Sequence, residues 1–287
     1  MTHLGISVYP DIRPLEEIKD YFALASKYGV TRCFSSMFSV EGSKEEVLAY
    51  FKELIQAAHQ YGIQVSLDVN PMCFEKMGAT CENLSVFRSI DVDILRMDLS
   101  FGLERDIALI NNPYDIGIEL NAAIIDPKPY VDAGVDPKKL CLCHNFFPQQ
   151  YTGMRFDLFN TVNAKIKAVS RDISIGAFIS SNANNTHGVW GAVKGLPTVE
   201  ALRLLPIDLQ ARLLLASGDV DDVLIGNAYA TEEEFKALRD VVKQKDLQKE
   251  AENNAFLKMF LEYDIIDSST TTIVKIRVEE EEGISED

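Results

Sequence analysis

A closed (β/α)8 barrel is the fold this chain predicts, and three observations predict it. First, three stretches alternate strictly between apolar and polar side chains. Residues 64–70 set Val65, Leu67 and Val69 against Ser66, Asp68 and Asn70. Residues 94–100 set Leu95, Met97 and Leu99 against Arg96, Asp98 and Ser100, and residues 115–122 set Ile116, Ile118 and Leu120 against Gly117, Glu119 and Asn121. A period of two is that of an extended strand with different faces. Second, helix-like segments flank all three, which argues for parallel strands joined by crossover helices. A parallel sheet is covered on both faces, so the polar sides must point into an enclosed space. Third, the whole chain divides into eight such units, and its 287 residues exceed the roughly 250 that one barrel requires. An open doubly wound sheet is the structural rival, and eight regular units argue against it.

The elements follow in order. The first strand is 4–9, closed by Pro10. A helix starts near Pro14, carries Leu15, Ile18, Phe22 and Ala25 at helical spacing, and stops at Gly29. The second strand is 31–37, and the helix after it spans 44–61 with Gly62 as its stop. The third strand, 64–70, is broken by Pro71. Residues 73–89 read as two helical pieces, 94–99 as the fourth strand and 103–110 as a short helix. The fifth strand is 115–122. Residues 126–137 carry one short helix, 139–146 the sixth strand and 156–169 a helix. The seventh strand, 173–181, leads into a long loop rich in Asn and Gly. Residues 198–218 read as one helix, 222–227 as the eighth strand, and Thr231 with Glu234 as the capping box of the last helix. The barrel therefore occupies 1–242. Residues 243–287 read as a charged helix, one strand and an acidic tail, the remnant of a small C-terminal β-containing domain.

Composition narrows the function. Net charge is −16, which argues against a nucleic-acid partner but not against a small anionic ligand held by a local positive site. No run approaches the ~18 apolar residues of a membrane span, and the amino terminus has no basic segment followed by an apolar core. Five cysteines without scaffold spacing read as reduced, buried thiols, so the expected compartment is the cytoplasm. A metal pair at Cys141 and Cys143 is the weaker alternative. Oligomeric state is not legible.

The polar groups gather where strands run into loops, the end at which such barrels keep their chemistry. Asp68, Asn70, Asp98, Glu119, Asn121, His144, Asn145 and Asn227 stand there, with aromatics including Tyr151 and Tyr229 nearby. Amides and carboxylates suit a polyhydroxylated ligand, and aromatic rings pack on sugar faces. Inward carboxylates allow paired acid/base work, as glycoside hydrolysis requires. Glu119 is the expected general acid, having no basic partner in its own strand. Asp98 or Asp68 is the second carboxylate. Asn70, Asn121, His144, Asn145 and Tyr151 are the expected sugar contacts, with Asn227 and Tyr229 near a phosphate. Structural readings compete: Asp98 shares a face with Arg96 and could serve only as half of an ion pair, Asp68 could cap a loop, and His144 could be a satisfied core histidine. There is no Walker loop, no GxGxxG after the first strand, no HExxH and no nucleophile elbow. No metal or cofactor is expected.

Several stretches stand together in one order: Gly5-Ile6-Ser7-Val8-Tyr9-Pro10, Asp68-Val69-Asn70-Pro71, Asn111-Asn112-Pro113-Tyr114 and Ile118-Glu119-Leu120-Asn121-Ala122. They continue with Cys143-His144-Asn145-Phe146-Phe147-Pro148, Tyr151-Thr152-Gly153, Gly195-Leu196-Pro197-Thr198 and Asp221-Asp222-Val223-Leu224-Ile225-Gly226-Asn227-Ala228. From Leu4 to about Leu238 the chain resembles the bacterial family once labelled outer surface protein, whose characterised members are 6-phospho-N-acetylmuramidases. The resemblance implies a TIM barrel followed by a cyclophilin-like domain. It also implies a cytoplasmic enzyme of cell-wall recycling that frees 6-phospho-N-acetylmuramic acid from N-acetylglucosamine. Only 274–285 resembles the entry to the small domain, so most of that domain is expected to be missing. The rival functions are a phosphosugar isomerase, epimerase or aldolase on the same barrel, and a non-catalytic phosphosugar-binding barrel.

Overall fold

The computed structural model describes residues 2–184, 186–191 and 194–243. The expected helix at 244–263, strand at 271–278 and acidic tail lie outside the described residues. Eight parallel strands close into a barrel in sequence order. They are β1 (His3–Ser7), β2 (Val30–Ser36), β3 (Gln64–Val69), β4 (Ile94–Met97), β5 (Gly117–Asn121), β6 (Cys141–Cys143), β7 (Ser174–Ile179) and β8 (Asp222–Ile225). The ring closes where Leu4 pairs with Val223. The helices are α1 (Leu15–Ser26), α2 (Lys44–His59), α3 (Pro71–Met77), α4 (Ser85–Arg88), α5 (Leu103–Ile110), α6 (Lys128–Asp132), α7 (Phe156–Val169), α8 (Ile207–Leu215) and α9 (Glu232–Val242).

The alternation explains the layering. Val65, Leu67 and Val69 are fully buried under the helices, as are Phe22, Phe51, Phe87, Phe159 and Phe235, which the helices bring down onto the strands. Burying one such side chain is worth roughly 1.5–3 kcal/mol, and truncating Phe51 to Ala would cost about 3–5 kcal/mol. A second, smaller apolar cluster of Tyr9, Phe34, Cys143, Phe178, Leu196 and Leu224 lies inside the barrel itself.

Local signals set the helix ends. Ser43 Oγ accepts from the Glu46 N–H and Glu46 returns a carboxylate to the Ser43 N–H, a capping box that fixes the start of α2. The Thr231 and Glu234 box starts α9 in the same way. Glu234 also accepts from Ser181 Oγ at 2.7 Å and from the Asn182 N–H, tying α9 to the end of β7.

Three details differ from the sequence expectation. Residues 198–218 are not one helix: a single 3₁₀ turn (Glu200–Leu202) precedes α8, and Pro206 separates them because it has no N–H to continue a ladder. The sixth strand is only three residues long: a 3₁₀ turn opened by Pro137 takes the residues before it, and the ladder ends at Cys143. Leu99 lies past the end of β4 and is 53% exposed rather than in the core. No helix among the described residues is long and apolar enough to cross a membrane.

Candidate active site

Alternation places Arg32 of β2, Asp68 of β3, Arg96 of β4, Glu119 of β5 and Asp222 of β8 inside the barrel. The ladder register sets Arg96 opposite Asp68 on one side and opposite Glu119 on the other. These side chains form one continuous column. At the amino-terminal end, His3 Nδ1 lies 2.8 Å from Asp222 Oδ1. Arg32 donates to Asp222 Oδ2 at 2.5 Å, to Ser66 Oγ at 3.3 Å and to Glu119 Oε2. The other Glu119 oxygen is 3.6 Å from Arg96 Nε. Arg96 donates to Asp68 Oδ1 at 2.6 Å and to Asn145 Oδ1, and the nitrogen that serves Asp68 is also 3.8 Å from Asp98 Oδ1. Charges this deep in a protein persist only when paired and hydrogen-bonded.

Exposure is lowest in the middle of the column and rises toward the mouth. The Glu119 side chain is 1% exposed, Asp68 15% and Asp98 45%, so the acids open to solvent only above Arg96. Burial pushes the Asp68 carboxyl up to about 6, against the pull of Arg96. Facing this acidic side is an aromatic wall. Phe34, Phe146 and Phe178 meet edge to face with centroids 5.1–5.6 Å apart, and the Arg96 guanidinium lies 5.9 Å over the Phe34 ring. Tyr9 completes the wall and donates its hydroxyl hydrogen to the Gly226 carbonyl. Beside the mouth, a cavity of about 300 Å³ is lined by Met37, Phe38, Val40, Met72 and Met77. A polar side, an aromatic side and acids at the open end form a site suited to a sugar ring.

The expected site residues separate into two groups. Asp68, Asp98 and Asn145 converge on Arg96 at the mouth. The competing view of Asp98 as the ion-pair partner of Arg96 is turned round: Asp68 holds the close contact. Glu119 does not reach the mouth. It is closed in by Arg32, Arg96 and the Cys141 thiol at 3.5 Å, a place suited to holding guanidiniums rather than to handing a proton to a sugar. The arginine missing from its own strand comes from β2 and β4.

His144 faces the other way. It is fully buried behind the barrel, with Nε2 2.7 Å from Asn163 Oδ1 and its ring on Phe159, both on α7. Burial lowers its pKa to about 4, which fits a neutral packing histidine and not a sugar contact. Asn227 also turns outward: its amide exchanges two hydrogen bonds with the Ser181 backbone at 2.8 and 2.9 Å. Asn70 is the N-cap of α3, accepting from the Cys73 N–H at 2.9 Å. Asn121 is buried and holds the Ala123 N–H at 3.0 Å. Tyr229 is half-buried with its ring edge-on to Tyr21, while Tyr151 is 81% exposed at the rim.

Sequence reasoning missed Arg32, Asp222 and His3. One signal was present: Arg32 falls inside the second strand, in phase with Phe34 and Ser36, and a cation there needs an interior anion. Among the described residues, no group of three or more His, Cys, Asp or Glu is arranged to hold a metal ion.

Residues 4–240 match the model of a family described as 6-phospho-N-acetylmuramidase, N-terminal. A crystal structure of an uncharacterized B. cereus protein superposes with a TM-score of 0.73 at 34% identity, over 88% of this chain and 72% of that one. A conserved Enterococcus faecalis protein of unknown function gives 0.71 at 20% identity, over 86% and 71% of the two chains. A putative α-galactosidase/melibiase from Bacteroides fragilis gives 0.57 at 11% identity, over 86% and 60%. The last two likenesses speak to the barrel fold. No curated protein matches the chain.

Proposed function

The chain belongs to the 6-phospho-N-acetylmuramidase N-terminal family, and from that premise we propose that it is a glycosidase that cleaves 6-phospho-N-acetylmuramic acid from N-acetylglucosamine. The observation that carries this reading is the pair of aspartates at the mouth. Asp68 and Asp98 approach one nitrogen of Arg96, at 2.6 and 3.8 Å.

Asp68 is the proposed general acid. A carboxyl held near 6 keeps a useful fraction of its protons at neutral pH while remaining acidic enough to release one. It protonates the glycosidic oxygen, and the bond to the anomeric carbon breaks. Asp98, the more exposed carboxylate, meets the positive charge developing at that carbon. Water then adds at the anomeric carbon and returns a proton to Asp68, which restores the acid and frees the sugar phosphate.

Asn145, Asn121 and the Phe34–Phe146 wall are the proposed sugar contacts, with Tyr151 at the outer rim. The turn carrying Tyr229 remains the proposed neighbour of the phosphate, without the Asn227 side chain. Proton transfer and a carboxylate suffice for this reaction, which calls on no cofactor. On this reading the enzyme works in the cytoplasm on fragments recovered from the cell wall.

The test is product analysis on the phosphorylated disaccharide beside its unphosphorylated twin. Release of N-acetylglucosamine from the phosphorylated substrate alone is expected. Equal release from both, or none from either, would overturn the proposal.

A further inference from the structure

We propose that Glu119 is a positioning residue for the reaction: it holds Arg96 from below and, through Arg96, governs the proton on Asp68. The inference rests on the reading of Asp68 as the acid, and it follows from how the interior charges are linked. Arg96 is the one cation facing Asp68 among the described residues. The other titratable groups around Asp68 are Asp98 just past β4, Glu119 on β5, Tyr9 after β1 and Cys73 on α3, none of which carries positive charge. How far Arg96 draws the Asp68 proton away therefore depends on what else Arg96 must neutralise.

Glu119 is that other anion, 3.6 Å from Arg96 Nε, an atom with no hydrogen bond of its own. Glu119 is in turn fixed by Arg32, and Arg32 by Asp222 at 2.5 Å. Counting formal charge over the buried members alone, and leaving out the half-exposed His3 and Asp98 at its two ends, Arg32 and Arg96 balance Glu119 and Asp222. Asp68 is the anion in excess. The column is neutral when Asp68 carries its proton, and it gains a buried negative charge when Asp68 ionises. With the Glu119 charge removed, Arg96 keeps only the more exposed Asp98 at 3.8 Å, and ionised Asp68 becomes its close counter-ion. Beside burial, Glu119, itself held by Arg32 and Asp222, thus limits how far Arg96 draws the proton from Asp68, although none of these three reaches the mouth.

The experiment is a carboxyl-carbon NMR titration of Asp68 in the full chain, assigned by loss of the signal in Asp68→Asn. It is run for wild type, Glu119→Gln and Glu119→Asp, beside pH–rate profiles on the phosphorylated disaccharide. Glu119→Gln keeps the shape and removes the charge. Its Asp68 midpoint is expected to fall by about one pH unit or more, and the basic limb of the rate profile to move by the same amount, a tenfold effect per unit. Glu119→Asp restores the charge and brings the midpoint back toward wild type. An unchanged Asp68 midpoint in Glu119→Gln overturns the inference, whether activity survives or is lost at every pH. If Glu119→Gln does not fold, Asp222→Asn tests the column from its far end. There a smaller downward shift supports the linkage and no shift overturns it. Absence of wild-type turnover would defeat the proposed reaction, while the titration would still decide whether Glu119 controls Asp68.

Discussion

Asp68 and Asp222 are both interior aspartates that accept a hydrogen bond from an interior arginine, yet their pKa values move in opposite directions. Burial acts to raise both. At Asp222 it is outweighed by the His3 hydrogen bond and the charge of Arg32, so the carboxyl lies below its ordinary value. At Asp68 burial prevails and the carboxyl stands at about 6. The difference is the number of donors and how far each is shared. Asp222 takes one oxygen to His3 and the other to Arg32. Asp68 has Arg96 alone, which also serves Asn145 and faces Glu119 and Asp98. The amino-terminal end of the column is thus saturated with donors, while the mouth is left one donor short, the condition for acid catalysis.

The contrast can be broken at several points. The largest effect is expected from Asp68→Asn, which removes the acid: turnover should fall by about 10²- to 10⁴-fold. Its stability should move the other way. Because the folded pKa is raised, the stabilising contribution of Asp68 is full below the ordinary carboxylate value of 3.8 and is lost as pH rises through about 6. At pH 7 the ionised group is a cost, so the variant should gain up to about 3 kcal/mol in urea unfolding at that pH. At the amino-terminal end, Arg32→Met leaves Glu119 and Asp222 without their shared cation and should cost about 3–5 kcal/mol in the same assay.

His144 gives a third, smaller effect with its own pH window. Its folded pKa of about 4 lies below its ordinary 6.5, so its contribution is complete above about 6.5 and is lost as pH falls toward 4. That loss amounts to about 3 kcal/mol, and His144→Gln should flatten this part of the stability profile. The smallest effect is expected at the exposed Lys128–Asp132 pair on α6, where Asp132→Ala should change stability by no more than about 0.5 kcal/mol.

The barrel was legible because alternation and helix stops are local: eight strands and their order follow from periods of two and from caps such as Ser43 and Thr231. The site was legible only in part, and for one reason. Side-chain direction continues with strict parity past the end of each strand. Cys141 and Cys143 point inward, so His144 must point outward and Asn145 inward again. Leu224 inward likewise makes Asn227 outward. A list of polar residues at the strand ends does not carry that parity, so it cannot separate the inward Asn145 from the outward His144 and Asn227. Partners across the barrel were illegible for a different reason. Glu119 meets Arg32 across 87 positions of sequence, and no local pattern encodes that contact. The helix expected through 198–218 failed because apolar spacing was weighed above Pro206.

The most direct measurement is the carboxyl titration of Asp68 and Asp222 side by side in the wild-type protein. The charge arrangement predicts that Asp68 titrates near 6 while Asp222 titrates below the ordinary carboxylate value. Two aspartates titrating together near 4 would contradict it.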